Sequence, residues 1–194
     1  MNIMLSGKRA FAIIAAWVLL FVINAQNVSA QKIWDDKPAK AWMTDAYPIG
    51  NGRIGGMVFG GINQEHIQLN DNTLWTGNET DRGMYQTLGN LFINFGSTDD
   101  TGVPADYRRE LDINRSVNTI SYTKDGIKYK REYFCSFPDK VIVLHFTANK
   151  KGTFSSILRI ADAHGSQPAV NGNKLFFTGK LSNVCYTRQQ QWLS

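Results

Sequence analysis

The stretch from Tyr47 to Trp75, YPIGNGRIGGMVFGGINQEHIQLNDNTLW, decides the fold of this chain. It contains two short apolar runs joined by residues that favour turns. Residues 57–59 (MVF) have the character of a buried strand, and the glycine pair at 60–61 ends it. The returning segment alternates apolar and polar side chains around Ile67 and Leu69, which is the period-two pattern of a half-buried strand. The stretch therefore predicts a glycine-rich β-hairpin.

Further strands are predicted downstream of this hairpin. Apolar and polar residues alternate from 120 to 123 and from 127 to 131, and Asp125-Gly126 between them favours a two-residue turn. Residues 141–146 (VIVLHF) predict a central strand buried on both faces. The Arg-Glu pairs at 109–110 and 131–132 predict a cross-strand ion pair. No window after residue 30 shows a helical stripe, so the sequence predicts an all-β protein, an antiparallel β-sandwich.

Ordered motifs in the hairpin carry a family resemblance: GNGR (50–53), GMVFGG (56–61), IQLND (67–71) and TLWTG (73–77). With these motifs the chain resembles the N-terminal domain of glycoside hydrolase family 95, which consists mainly of α-L-fucosidases acting on terminal fucose. Further similar strings continue the resemblance over about residues 34–183: YQTLGNL (85–91), YRRELDI (107–113), KREYF (130–134) and SFPDKV (136–141). The resemblance implies a large, supersandwich-like β-sandwich that precedes a linker, a helical (α/α)6 barrel and a C-terminal β-domain.

The two ends of the chain differ from this domain. Residues 1–30 have the pattern of a secretory signal peptide: Lys8 and Arg9 precede an apolar run of 14 residues, and Val28-Ser29-Ala30 offers a cleavage site. That run is shorter than the ~20 residues that a membrane-spanning helix needs. We therefore predict export to the periplasm or outside the cell, with no membrane span after cleavage. The sandwich domain is expected over 31–183, and residues 184–194 form an atypical tail that suggests a truncated or frame-shifted reading frame, with the sandwich incomplete at its C-terminal end.

Charge and metal-ligand patterns exclude several functions. Cleavage before Gln31 lowers the net charge from +5 to +3, because residues 1–30 carry two basic and no acidic side chains. The basic residues are scattered, so nucleic-acid binding is not predicted. Cys135 is expected to be a buried thiol, and a chain of this size does not require a disulfide with Cys185. No cofactor site is predicted, because no phosphate-binding loop has the required spacing. No metal site is predicted either, because the three histidines are far apart in sequence and are expected to be structural: His66, His145 and His164.

The sequence identifies no catalytic residue. In the family that the chain resembles, the general acid and the carboxylate that activates water lie in the barrel, and no position here matches their motifs. Four carboxylates cluster in or near the stretch 47–75: Glu65, Asp71, Glu79 and Asp81. They are expected to be solvated or to cap turns, with an Asx turn at 70–72. The favoured function is that of an N-terminal domain whose partners are the catalytic barrel and fucosylated glycans.

Two other functions remain open on the sequence alone. One is a stand-alone sugar-binding sandwich that uses Trp34, Trp42 or Trp75 as a stacking surface. For Trp34 and Trp42 the favoured interpretation is instead that they pin an entering edge strand onto the core. The other is an independent hydrolase with a compact site at Glu65 and Asp71, which would need two carboxyl groups close together.

Overall fold

The computed structural model describes residues 31–77, 82–96 and 102–181, and no helix occurs within these ranges. One five-stranded antiparallel sheet has the strand order β1-β8-β9-β10-β11, and a second has the order β12-β7-β4-β3-β2. Two further pairs, β5-β6 and β13-β14, form small ribbons. The strands are β1 (Lys32–Asp35), β2 (Tyr47–Gly50), β3 (Ile54–Val58), β4 (Gln64–Asp71), β5 (Trp75–Thr76), β6 (Met84–Tyr85), β7 (Gly89–Asn94), β8 (Arg108–Asp112), β9 (Val117–Lys124), β10 (Ile127–Ser136), β11 (Val141–Ala148), β12 (Ile157–Asp162), β13 (Ala169–Asn171) and β14 (Lys174–Phe176).

The hairpin predicted within residues 47–75 is confirmed as β3 and β4. Its loop depends on two glycines that no other residue can replace without rearrangement. Gly60 has a φ of +77°, and a Cβ on Gly61 would lie 1.9 Å from the carbonyl oxygen of Gln64. The loop therefore folds tightly enough for the side chain of Glu65 to reach back to the amide of Gly60.

The second predicted hairpin is also confirmed, between β9 and β10. Asp125 and Gly126 have φ values of +53° and +72°, and Lys124 pairs with Ile127. Positive φ at both central residues is the geometry whose twist matches a right-twisted strand pair. This turn fixes the register of β10, so Tyr129, Arg131 and Tyr133 share one face of the sheet.

The hydrophobic core lies between the two large sheets. One sheet contributes aliphatic side chains to it, and the other contributes mainly tyrosines, so rings pack onto branched carbons across the interface. Its buried members are Ile49, Val58, Ile67, Tyr107, Ile120, Tyr122 and Tyr133. The all-β sandwich expected from the sequence is therefore confirmed, whereas the predicted signal peptide (1–30) and tail (184–194) lie outside the described residues.

The prediction of a central, doubly buried strand at 141–146 is wrong. Within the described ranges, β11 pairs only with β10 and so lies at an edge of its sheet, and Val141 and His145 are exposed. The apolar run resembles that of a central strand because its inward-facing members pack against the core: Ile142, Leu144 and Phe146. These side chains are nevertheless only half-buried. A run of apolar residues does not specify how many strands flank it.

Among the strands that the structure describes, β12 pairs only with β7, so it forms an edge of the second sheet. Leu158 is in register with Ile93, which in turn pairs with Glu65. Ile93 is 2% exposed and points into the core, yet Leu158 in the same row is 53% exposed. An inward-facing leucine on an open edge is an aggregation hazard.

A charged residue in place of this leucine should therefore reduce aggregation without lowering the free energy of unfolding. A Leu158→Lys variant is expected to change the free energy of unfolding by less than about 0.5 kcal/mol and to reduce light scattering in concentrated solution. The matched control is Ile93→Lys, which buries a charge in the same row and should abolish cooperative unfolding. A large loss of stability in Leu158→Lys would show that the edge is covered.

Candidate functional site

Two of the three candidate tryptophans lie at the start of the domain and are exposed. Trp34 belongs to the edge strand β1, as expected, but Trp34 and Trp42 are 55% and 48% exposed. The prediction that these rings pin the strand onto the core is therefore wrong. The strand is held instead by its pairing with β8 and by Arg108, whose guanidinium lies 4.3 Å from the centre of the Trp34 ring.

Trp75 lies on the ribbon formed by β5 and β6, where it pairs with Tyr85. The two rings meet edge to face with centroids 4.4 Å apart, and the indole Nε1 donates a 2.8 Å hydrogen bond to the carbonyl of Arg82. Both rings remain exposed, Trp75 by 41% and Tyr85 by 60%. The pair thus presents aromatic surface in a fixed geometry, which is the property that a stacking surface for a sugar ring requires. We call Trp75, Tyr85 and the exposed Met84 the aromatic ribbon.

Glu65 is fully buried and is the centre of a polar network between the two sheets. Its Oε1 accepts hydrogen bonds from the amides of Gly60 (2.7 Å) and His66 (3.1 Å), and its Oε2 accepts one from the Tyr133 hydroxyl at 2.6 Å. Arg131, also fully buried, places Nη1 3.5 Å from Oε2. Every strong acceptor site of this carboxylate is therefore occupied by the protein itself, which is a structural arrangement.

The guanidinium of Arg131 is compensated by more than one kind of contact. Nη2 donates a 2.7 Å hydrogen bond to the carbonyl of Gly61, while Nε and Nη1 have no hydrogen-bond partner among the described residues. The rings of Phe95 and Tyr122 lie 4.9 Å and 5.3 Å from the guanidinium carbon. Cation–π attraction in a desolvated site offsets part of the missing hydrogen bonding.

Asp71 has a local role, at the end of β4. Its Oδ1 accepts hydrogen bonds from the amide and hydroxyl of Thr73, which confirms the predicted Asx turn, and Arg53 Nε lies 3.2 Å from Oδ2. Asp71 lies six positions after Glu65 on one extended strand, which corresponds to about 20 Å. An inverting pair of carboxyl groups needs about 6.5–9.5 Å. The hypothesis of a hydrolytic site at Glu65 and Asp71 is therefore wrong, whereas Glu79 and Asp81 lie outside the described residues.

The three histidines occupy separate places, as the sequence suggested. His66 is stacked between Phe59 and Phe92 and has Nε2 2.7 Å from Asn90 Oδ1. His145 lies on the outer face beside Glu132, and His164 contacts the carbonyl of Thr87. Among the described residues, no three His, Cys, Asp or Glu side chains are grouped as a metal ion would need.

Cys135 is half-buried on β10, and burial raises the pKa of its thiol. A thiol with a raised pKa is a poor nucleophile, so Cys135 has the character of a packing residue. Cys185 lies outside the described residues. Within the described residues, no helix is long and apolar enough to cross a membrane.

The buried tyrosines make the domain sensitive to alkali. Burial is the main cause that raises the pKa of Tyr107, Tyr122 and Tyr133, and burial together with the hydrogen bond to Asp35 raises the pKa of Tyr47 to about 12. The unfolded chain loses these protons near its ordinary pKa of about 10. The stabilisation is therefore complete below about pH 10 and is lost as the pH rises toward 12.

We accordingly expect the free energy of unfolding, measured with urea between pH 8 and about pH 12, to stay level and then fall from about pH 10. A Tyr85→Phe variant, altered on the exposed aromatic ribbon, should follow the same curve. A Tyr133→Phe variant should show a shallower fall. A level curve through the whole range would contradict the assignment of these hydroxyls to the interior.

Comparison with known proteins identifies the family. Residues 33–84 and 78–192 match the family described as "Glycosyl hydrolase family 65, N-terminal domain", and the chain belongs to this family of glycoside hydrolase N-terminal domains. Its relatives include Alpha-L-fucosidase 2 of Arabidopsis thaliana, which is 32% identical over 171 residues, covering 69% of this chain and 20% of that protein. Two Aspergillus proteins named Probable alpha-fucosidase A are each 27% identical: that of A. niger covers 62% of this chain and 20% of its own length, and that of A. oryzae 66% and 23%.

The chain spans about a fifth of the length of these curated relatives. The resemblance seen in the sequence is confirmed at the level of a glycoside hydrolase N-terminal domain with fucosidase relatives. The feature that sequence reasoning missed is the inter-sheet network of Glu65, Arg131 and Tyr133. Its signal was present, because each of these residues falls on the apolar side of its strand's alternation.

Proposed function

We propose that this chain is the N-terminal β-sandwich domain of an exported α-L-fucosidase-like glycoside hydrolase of family 95, which acts on terminal fucose of glycans. The observation that carries the proposal is the match to a glycoside hydrolase N-terminal domain together with relatives named as fucosidases. In this proposal, the chemistry belongs to a helical barrel domain, as the resemblance to family 95 implies, and not to the β-sandwich. The partners are that barrel and, through it, fucosylated glycans.

The contacts of the carboxylates support a non-catalytic role. Glu65 accepts hydrogen bonds from three protein donors and forms an ion pair with Arg131, and Asp71 is engaged by Thr73 and Arg53. Neither is placed to receive a proton from water beside a sugar. The exposed surfaces available to pack against a barrel and shape its cleft include the aromatic ribbon and the edge strand at Leu158.

The experiment that tests this proposal combines the chain with the polypeptide encoded downstream of it. Release of nitrophenol from a nitrophenyl α-L-fucoside is expected when both are present and not with the chain alone. Cleavage by the purified chain alone would overturn the proposal. Export is tested separately by identifying the first residue of the exported chain, which should be Gln31.

A second candidate function is sugar binding by the aromatic ribbon itself. The observation in its favour is the fixed, exposed pair of Trp75 and Tyr85. Titration of the chain with fucosylated oligosaccharides should then quench tryptophan fluorescence saturably. A Trp75→Ala variant should remove the response and the matched Trp42→Ala variant should retain it, whereas an unchanged response in Trp75→Ala would exclude the ribbon.

A further inference from the structure

The sequence contains two Asn-Gly pairs, Asn51-Gly52 and Asn171-Gly172. Asparagine before glycine is open to a reaction within the chain, because glycine has no Cβ to block the approach of its backbone nitrogen to the amide carbon of the asparagine. The two groups are already joined, so the rate depends on how freely they reach the geometry of attack. The two pairs differ in this respect, because their surroundings are opposite.

Asn51 is held at both ends of its side-chain amide. Its Oδ1 accepts hydrogen bonds from the backbone amides of Arg53 (3.1 Å) and Ile54 (3.0 Å), and its Nδ2 donates one to the carbonyl of Ser136 at 2.8 Å. The contact with Ser136 ties the β2–β3 loop to the other sheet. Turning the amide carbon toward the nitrogen of Gly52 would break all three bonds, so the fold protects this pair.

Asn171 has none of these restraints. It is exposed, and its side-chain amide has no hydrogen-bond partner among the residues that the structure describes. It pairs with Lys174 across a two-residue turn in which Gly172 has a φ of +60°. The ladder bonds of such a turn join residues 171 and 174, so the nitrogen of Gly172 lies outside the ladder. A Cβ on Gly172 would meet no atom within 4 Å, so the turn is open to water.

The hairpin that carries Asn171 is also weakly supported. Within the described ranges, β13 and β14 pair only with each other. Leu175 and Phe176 of β14 are half-buried, whereas all three residues of β13 are exposed. A two-stranded hairpin is marginally stable in water, so it opens locally more often than the sandwich unfolds. Opening gives Asn171 the backbone freedom that the reaction needs.

We infer that Asn171 is a site of spontaneous deamidation. The backbone nitrogen of Gly172, after losing its proton, attacks Cγ of Asn171, and a C–N bond forms. The side-chain nitrogen takes up a proton and leaves as ammonia, which closes a five-membered succinimide ring. Water then adds to either carbonyl carbon of the ring and breaks the C–N bond there. The product carries a new carboxylate, either on aspartate or on isoaspartate, and water is the only co-reactant.

The two products have different effects on the hairpin. An aspartate at position 171 lies opposite Lys174, where a cross-strand pair of opposite charges is favourable. An isoaspartate lengthens the main chain by one carbon and disturbs the register that the two-residue turn sets. Deamidation therefore changes the charge and the strand pairing of β13 and β14, and it leaves the core of the sandwich unaltered.

The test follows both asparagines in one preparation of the full chain, incubated at mildly alkaline pH and then analysed by peptide mass spectrometry. Exchange of the amide nitrogen for oxygen is expected to be at least about tenfold faster at Asn171 than at Asn51, because the hydrogen bonds of Asn51 must break first. In concentrated urea the two rates should become similar, since glycine follows both residues. Asn171→Gln should remove the fast reaction, because the longer side chain would have to close a six-membered ring.

Two results would overturn the inference. One is an equal rate at Asn51 and Asn171 in the folded chain, which would mean that the hydrogen bonds of Asn51 give no protection. The other is a folded chain in which Asn171 does not react while urea releases the reaction, which would mean that the hairpin is held closed. Neither result depends on fucosidase activity or on sugar binding, so the inference is independent of the proposed function.

Discussion

A Glu65→Ala variant is expected to lose about 3–5 kcal/mol of unfolding free energy, because it leaves the buried guanidinium of Arg131 without its counter-charge. It also removes the acceptor for the Tyr133 hydroxyl and for two backbone amides. Domains have only about 5–15 kcal/mol in total. Urea unfolding followed by tryptophan fluorescence measures the loss, and the variant should unfold at a much lower urea concentration.

Two further variants separate charge from packing at this site. Glu65→Gln keeps the shape and one carbonyl acceptor, so it should lose less than Glu65→Ala. The double variant Glu65→Ala with Arg131→Met removes the unpaired cation, so its loss should be smaller than the sum of the two single losses. That non-additivity identifies the ionic contact as the source of the effect.

The matched control is Glu132, which neighbours Arg131 on β10 but faces outward. Its carboxylate contacts Lys130 at 2.7 Å and His145 at 3.3 Å on the exposed face. Glu132→Ala should change stability by about 0–1 kcal/mol, as is usual for surface ion pairs. Equal losses for Glu65→Ala and Glu132→Ala would contradict the assignment of the network to the core.

The sequence predicted the hairpins well because local chemistry determines them. A two-residue turn such as Asp125-Gly126 fixes register over the adjoining strands, and alternation tells which residues share a face. The edge position of β11 was not predictable in this way, because strand order depends on pairings between distant residues. A half-buried edge strand and a fully buried central strand have similar apolar content.

The charged pairs show the same division between local and long-range information. The expected cross-strand pairing of Arg109-Glu110 with Arg131-Glu132 is wrong, because neighbouring residues on a strand face opposite sides. β9 also separates the two strands, and Ile120 lies opposite both arginines. The arginines therefore turn inward and bind Asp35 and Glu65, while the glutamates turn outward to lysines. Which distant carboxylate each arginine meets is determined by the packing of the sheets and not by the spacing of the residues.

Arg109 is expected to have the second largest effect, since it anchors the segment that leads into the sandwich. Its guanidinium donates hydrogen bonds to the carbonyls of Lys37 (2.8 Å) and Asp45 (2.5 Å) and to Asp35 Oδ2 at 2.6 Å. It also lies 4.3 Å from the centre of the Tyr47 ring. An Arg109→Met variant should therefore lose about 3 kcal/mol, because several charge-assisted hydrogen bonds disappear together.

A local readout distinguishes this anchoring role from general destabilisation. Once the guanidinium is absent, residues 36–45 keep fewer contacts with β8. Relative to the unaltered chain, trypsin cleavage after Lys40 should therefore accelerate more than cleavage at other sites in the domain. The control Arg108→Met alters the adjacent, outward-facing residue that contacts Trp34 and Glu110. It should change stability by at most about 1 kcal/mol and leave the cleavage rate after Lys40 unaltered. Uniform acceleration at all sites in Arg109→Met would mean that the guanidinium stabilises the whole sandwich and not its leading segment.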